Sequence, residues 1–148
     1  MRALLTAAAL SAIALSACEK KAEPAAAPAG PILASVAELP APFNEADLVN
    51  GKRKWVQCGS CHTIKKDGAN LTGPNLHGIF GRHIGEAPEF KYSEAAQAAD
   101  FVWDGHKLDE WLTKPKEFLP GTKMSFPGMK EATDRRDLIA YLMIESSK

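Results

Sequence analysis

The stretch Cys58-Gly59-Ser60-Cys61-His62 concentrates the reactive chemistry of this 148-residue chain. Two thiols separated by two residues, with histidine directly after the second, form the attachment signature of a c-type haem. The spacing has a chemical reason. Each thiol can add to one vinyl group of a porphyrin, and two intervening residues let both sulfurs reach neighbouring vinyls. The imidazole of His62 then lies under the ring and can offer a nitrogen to the iron as proximal ligand. Other readings of Cys-x-x-Cys explain less. A thioredoxin-like redox pair needs a βαβ context that this sequence does not offer. A structural zinc site needs a second Cys/His pair at ligand spacing, which is missing. A plain disulfide leaves the adjoining His62 unexplained.

A second stretch could complete the site. From Pro115 to Gly128, Pro120-Gly121-Thr122-Lys123-Met124-Ser125-Phe126-Pro127 places a methionine between two prolines, on a segment expected to lack helix. A thioether is a soft ligand, and Met opposite His is an axial pair of electron-transfer haems. A loop methionine is more commonly a gap filler. Here a six-coordinate carrier needs a second axial ligand, and a constrained loop can hold one. Met129 and Met143 are weaker alternatives, the first without the Pro-Gly-Thr-Lys lead-in and the second within the last helix. His77, His83 and His106 could also ligate, although His77 and His83 fall among turns and could bond backbone.

The positioning elements read as helices. Asn44 can cap the first, with Glu45 and Asp47 suiting the positive end of its dipole. Leu48, Trp55 and Val56 then form an apolar stripe, and Gly51 lies on it one turn before Trp55. Glycine inside a helix costs about 1 kcal/mol relative to alanine, so a close helix crossing is expected there. Its partner is a C-terminal helix capped by Thr133 or Asp134 and carrying Leu138, Tyr141 and Leu142. Gly68, Gly73, Pro74, Gly78, Gly81 and Gly85 interrupt any long helix between the thiols and residue 92, as a backbone wrapped round a flat cofactor or an ordinary surface loop would. Two more helices are expected: one over Ser93 to Ala99, and one from Asp104 through Leu108, Trp111 and Leu112 to Pro115. No alternating run is long enough for a sheet, so the fold class is all-α.

The N-terminus has a separate logic. Met1-Arg2 followed by the apolar Ala3 to Leu15 reads as an export signal (residues 1–17), too short for the roughly 20 residues that cross a bilayer. Leu15-Ser16-Ala17-Cys18 resembles a bacterial lipobox, which would make Cys18 a lipidated first residue; ordinary cleavage nearby is the alternative. The Ala/Pro-rich residues that follow, to Pro42, cannot bury a core, so 18–42 read as a tether and 43–148 as the folded domain. Its 24 residues after Cys18 would reach roughly 75 Å at about 3.1 Å each. Such a tether suits a domain that swings between partners, and equally a mere stalk. Eighteen basic and eighteen acidic side chains balance, so bulk charge implies no nucleic acid.

The domain resembles a class I cytochrome c of the small mitochondrial type and its bacterial relatives. The resemblance rests on Cys58-Gly59-Ser60-Cys61-His62, Thr72-Gly73-Pro74-Asn75-Leu76-His77-Gly78-Ile79-Phe80-Gly81-Arg82, Pro120-Gly121-Thr122-Lys123-Met124 and Asp137-Leu138-Ile139-Ala140-Tyr141-Leu142. It implies helices wrapped around one haem c, bound through Cys58 and Cys61, with His62 and Met124 as axial ligands. Pro74 would offer its carbonyl to the other nitrogen of His62. Arg82, Tyr92 and Trp103 would surround the propionates, Thr122 would sit beside Met124, and Phe126 would cover the haem near its exposed edge. The terminal helices would cross where Gly51 and Trp55 meet Leu138 and Tyr141. Three departures stand out. Trp111 replaces a Tyr that bonds the Met sulfur, Ala96 replaces an Asn, and Gln57 stands where the family carries a lysine.

The implied function is outer-sphere transfer of single electrons, without catalysis. The expected partners are respiratory: a cytochrome bc1-type reductase and cytochrome c oxidase. The implied setting is a monomer held by lipidated Cys18 on the periplasmic side of a bacterial cell envelope, at the inner membrane. The other class of function is a haem enzyme or sensor, peroxidase-like, in which Met124 leaves. A di-haem peroxidase would show a second Cys-x-x-Cys-His, and the chain has one.

Overall fold

The computed structural model describes residues 33–148. The expected export signal, Cys18 and the first part of the expected tether lie outside the described residues. Five helices carry the fold: α1 (Leu48–Gly59), α2 (Glu94–Ala98), α3 (Gly105–Thr113), α4 (Pro115–Phe118) and α5 (Ala132–Glu145). No strand occurs among the described residues; the one isolated bridge pairs His83 with Val102. The all-α expectation is met. None of the described helices is long and apolar enough to cross a membrane.

The first helix starts later than expected. Asn44 lies in a 3-10 turn (Phe43–Glu45), and Asp47 caps α1 instead, accepting from the N–H groups of Val49 (2.8 Å) and Asn50 (3.2 Å). Asp47 wins because its own N–H also donates to Asp137 Oδ1 at 3.1 Å, tying the cap to α5. The inward stripe is Leu48, Gly51, Trp55 and Cys58, while Val56 is 73% exposed and drops out of it.

α5 crosses α1 at Gly51. A Cβ there would run into the Asp137 carbonyl and lie 2.8 Å from Tyr141 Cβ, so only glycine lets the backbones approach so closely. Neither Thr133 nor Asp134 caps α5, whose N-cap is Glu131 without a side-chain bond. Asp134 lies in the first turn and binds α1 instead, through Lys54 (2.6 Å) and Asn50 (3.0 Å). Behind the crossing, Leu138, Ile139 and Ala140 are fully buried. Burial of each large side chain contributes roughly 1.5–3 kcal/mol.

The middle of the chain follows its caps. Ser93 accepts from Ala96 N–H at α2, and Asp104 from Lys107 N–H at α3. Pro115 does not open a helix-free stretch: it is the first residue of α4, a position where its missing N–H costs nothing. Trp103, Trp111, Phe118 and Phe101 form a closed ring of edge-to-face contacts at centroid distances of 4.8 to 5.8 Å.

The folded unit also begins before Phe43. Leu39 is 5% exposed, and the Leu33 N–H donates to Ser147 Oγ at 3.1 Å. Leu33, Val36 and Leu39 interrupt the Ala/Pro run with side chains that the domain can bury.

Candidate haem site

Cys58 ends the inward stripe of α1, and the chain then wraps tightly around its carbonyl. The N–H groups of Cys61 and His62 both donate to Cys58 O at 2.9 Å. The half-buried thiols of Cys58 and Cys61 are unpaired, and His62 follows directly after them. Burial, and then the neighbouring Cys61, push the Cys58 thiol up to about 11. It is therefore a neutral thiol in this site.

His62 is oriented by a single contact: Nδ1 lies 2.7 Å from the Pro74 carbonyl oxygen. That oxygen can only accept, so Nδ1 carries the proton and Nε2 keeps its lone pair. Burial lowers the imidazole pKa, against the opposing bond to Pro74, and so favours the neutral form that a metal requires. Gly73 makes this geometry possible. A Cβ there would stand 2.7 Å from both ring nitrogens. The Gly73 N–H also donates to Cys61 O at 2.8 Å, holding the two segments together. Sequence reasoning counted Gly73 among turn glycines and missed this packing role; the signal was its place directly before Pro74. Asn75 fixes the loop, donating to Thr63 Oγ1 and Gly68 O at 2.7 Å.

The Arg82 and Trp103 backbones are paired directly. Trp103 N–H donates to Arg82 O at 2.9 Å, and Gly81 N–H to Trp103 O at 2.8 Å. The Arg82 guanidinium donates to the carbonyls of His77 (3.2 Å) and Asn75 (3.0 Å), and burial lowers its pKa. Tyr92 accepts from Ala87 N–H at 3.3 Å; burial raises its pKa, opposed by that bond and by the charge of Arg82.

The Met124 loop is pinned at both ends. Thr122 N–H donates to Leu119 O (3.1 Å), and Met129 N–H to Leu112 O (2.8 Å). Gly121 and Gly128 take positive φ, 90° and 101°, at its two bends. The Met124 N–H donates to Thr122 Oγ1 at 3.2 Å. Met124 and Phe126 are half-buried against the core, as are Cys58, Leu76 and Tyr92. No hydrogen bond joins Met124 to His62. Met129 and Met143, 7% and 8% exposed, are core residues. His83 bonds Asp100 (2.8 Å) and Ile84 O (3.0 Å), and the His106 ring lies tilted against Phe43 at 6.1 Å between centroids. These contacts account for the other ligand candidates except His77, whose buried Nδ1 has no partner.

The residues fit a covalently bound haem. Two unpaired thiols, a neutral imidazole with a free Nε2 and a rim of half-buried apolar side chains match its attachment, ligation and flat apolar faces.

Known proteins agree. A family model described as Cytochrome c matches residues 48–144. The cytochrome c of Kluyveromyces lactis is 38% identical over 106 residues, covering 71% of this chain and 96% of its own length. That of Theileria parva is 48% identical over 105 residues, covering 70% and 90%. Among solved structures, cytochrome cH from Methylobacterium extorquens shares the fold with a TM-score of 0.61 at 38% identity, covering 66% of this chain and 97% of its own. The chain thus belongs to the cytochrome c family, with its class I fold, its electron-transfer function and the covalent haem c that the family implies.

Proposed function

We propose that this protein is a membrane-tethered mono-haem carrier that shuttles single electrons between respiratory complexes, from a quinol–cytochrome c reductase to a terminal oxidase. The observation that carries the reading is the convergence, at the end of α1, of two unpaired thiols with an imidazole whose protonated nitrogen faces Pro74. Cys58 and Cys61 would hold the haem through its vinyl groups, and His62 Nε2 and the Met124 sulfur would bind its iron. When bound, haem c supplies a one-electron iron couple. With both His62 and Met124 bound to it, the iron would have no open position for a substrate. The soft sulfur favours reduced iron. Pro74 and Gly73 on one side, and the pinned loop on the other, would hold the two ligand side chains in place. Arg82, Tyr92 and Trp103 would surround its propionates, and Thr122 and Phe126 would flank the Met124 side.

Docking uses the lysines of the Met124 segment. Lys114 is paired with Glu117, so Lys116, Lys123 and Lys130 present the charge. An acidic partner face complements them. Lipidation of Cys18 anchors the monomer to the inner membrane on the periplasmic side.

One purified sample tests each element. The full protein should retain haem through acid–organic extraction and show the far-red sulfur–iron band when oxidised. Its mature N-terminus should carry lipid on Cys18 by mass spectrometry. Extractable haem would sink covalent attachment, a missing band would sink the Met124 ligand, and an unmodified N-terminus beyond residue 18 would sink the anchor.

A further inference from the structure

One peptide group joins Pro74 to Asn75, and both of its polar atoms are committed. Its oxygen, Pro74 O, accepts from His62 Nδ1 at 2.7 Å. Its N–H, on Asn75, donates to Asn70 Oδ1 at 2.8 Å. The other end of the Asn70 amide donates from Nδ2 to Pro88 O at 2.9 Å. These two partners settle how the Asn70 amide is turned, since an N–H can only donate and a carbonyl can only accept. The result is a chain of amides in which every donor points from His62 toward Pro88. Asn75 itself is held from several sides. Its Oδ1 accepts from His77 N–H (2.6 Å), its Nδ2 donates to Lys65 O (2.9 Å), and its carbonyl accepts from the Arg82 guanidinium (3.0 Å). In the sequence Asn70 is one more polar residue among turns. The chain exists only because the loop around Pro88 is folded beside it.

We propose that Asn70 is a positioning residue that sets the donor strength of His62 through the Pro74–Asn75 peptide. The inference rests on the reading of His62 as an iron ligand. Hydrogen bonds aligned head to tail polarise one another, by roughly 10–30% per bond. With its N–H held by Asn70, the peptide carries more negative charge on Pro74 O. That oxygen then draws the Nδ1 proton more strongly and makes Nε2 more basic. A more basic nitrogen favours the more highly charged, oxidised iron, so Asn70 lowers the reduction potential.

Proton NMR and voltammetry of the full holoprotein test this. In the wild type the Asn75 N–H should exchange at least tenfold more slowly than in an unstructured chain. Exchange at the unstructured rate would overturn the proposal without any variant. Asn70→Ala and Asn70→Asp both lose the bond to Pro88 O, but Asp keeps an acceptor, and a stronger one, for the Asn75 N–H. In the reduced protein the His62 Nδ1–H resonance should move upfield in Asn70→Ala and downfield in Asn70→Asp. The reduction potential should rise in Asn70→Ala, a substitution that changes no charge. Displacement of the resonance in the same direction in both variants would make Asn70 a mere tie between two loops and overturn the proposal. So would an Asn70→Ala protein with the wild-type resonance and potential. Where Asn70→Ala does not mature, Asn70→Asp against the wild type still decides, because loss of a tie gives no downfield shift. The ligand reading fails separately: His62 ring protons without the strong upfield displacement that a haem ring current imposes on an axial ligand would overturn it, whatever the Nδ1–H resonance does.

Discussion

His62 Nδ1 stands 2.7 Å from the carbonyl oxygen of Pro74, and that contact settles which imidazole nitrogen is free. A proline carbonyl cannot donate, so the ring proton lies between the two residues and Nε2 keeps its lone pair. The contact is possible because Gly73 carries no side chain against the ring.

Gly73→Ala should therefore disturb the proximal side. Its new methyl must push the imidazole off the Pro74 carbonyl, weakening His62 as the proposed iron ligand. Lower haem retention during maturation and a shifted reduction potential are expected. Voltammetry of the variant beside the wild type checks this, and an unchanged potential would show that the ring accommodates the methyl.

Met124→Ala should leave covalent haem in place while abolishing the far-red band, lowering the potential and adding peroxidase-like turnover. Met124 lies on a loop tied down at Leu119 and Leu112, whereas Met129 and Met143 are buried in the core. Persistence of the band would place the ligand elsewhere. Optical spectra with a guaiacol assay read both outcomes.

Gly51→Ala should cost about 1–3 kcal/mol, because the methyl meets the Asp137 carbonyl and Tyr141 Cβ at the helix crossing. Alanine's better helix propensity returns only about 1 kcal/mol. Guanidinium unfolding measures the balance, and a stabilised variant would mean that the helices separate easily.

Asp137 makes stability depend on pH. It is 3% exposed and accepts from Asp47 N–H (3.1 Å), Asn50 Nδ2 (2.8 Å) and Arg136 Nε (3.0 Å). Burial alone would raise its pKa, but the bonds from Asn50, Arg136 and Asp47 together outweigh it and hold the carboxyl below 3.8. A folded pKa below the unfolded one contributes stability above the unfolded value, and that stability is lost as pH falls through the folded one. The wild type should lose stability below about pH 4 more steeply than Asp137→Asn. The variant should also be weaker at neutral pH, by roughly 1.5–3 kcal/mol for the lost charged acceptor. Denaturation from pH 2 to 7 tests the two slopes.

Lys116→Glu and Lys123→Glu should slow electron exchange with an acidic partner, much more at low salt than at high salt. The formal charge is −5 over Glu86 to Glu110 and +3 over Trp111 to Lys130, so charge is segregated along the chain despite its overall balance. Stopped-flow rates against ionic strength read the effect for the holoprotein with a terminal oxidase. Rates indifferent to salt and to both reversals would mean apolar docking.

Much of this protein is local in origin and so legible in the chain itself. The Cys58–His62 spacing and the all-α character depend on neighbours a few residues apart, as do the Ser93 and Asp104 caps. Even the Gly51 crossing announces itself, since a glycine on an apolar stripe is costly unless another backbone comes close. Tertiary structure decided what rests on competition between distant groups. Asp47 displaced Asn44 as the cap of α1 because Asp137, 90 residues on, takes its N–H. Asp134 went to Lys54 and Asn50 rather than to an N-cap because α1 lies beside it. Val56 continued a helical pattern yet points to solvent, because α5 approaches α1 at Gly51 and the inward side carries Leu48, Gly51, Trp55 and Cys58. The start of the domain was hidden for the same reason. Leu33 and Leu39 look like interruptions in an Ala/Pro spacer until Ser147, 114 residues on, accepts the Leu33 N–H and the core covers Leu39.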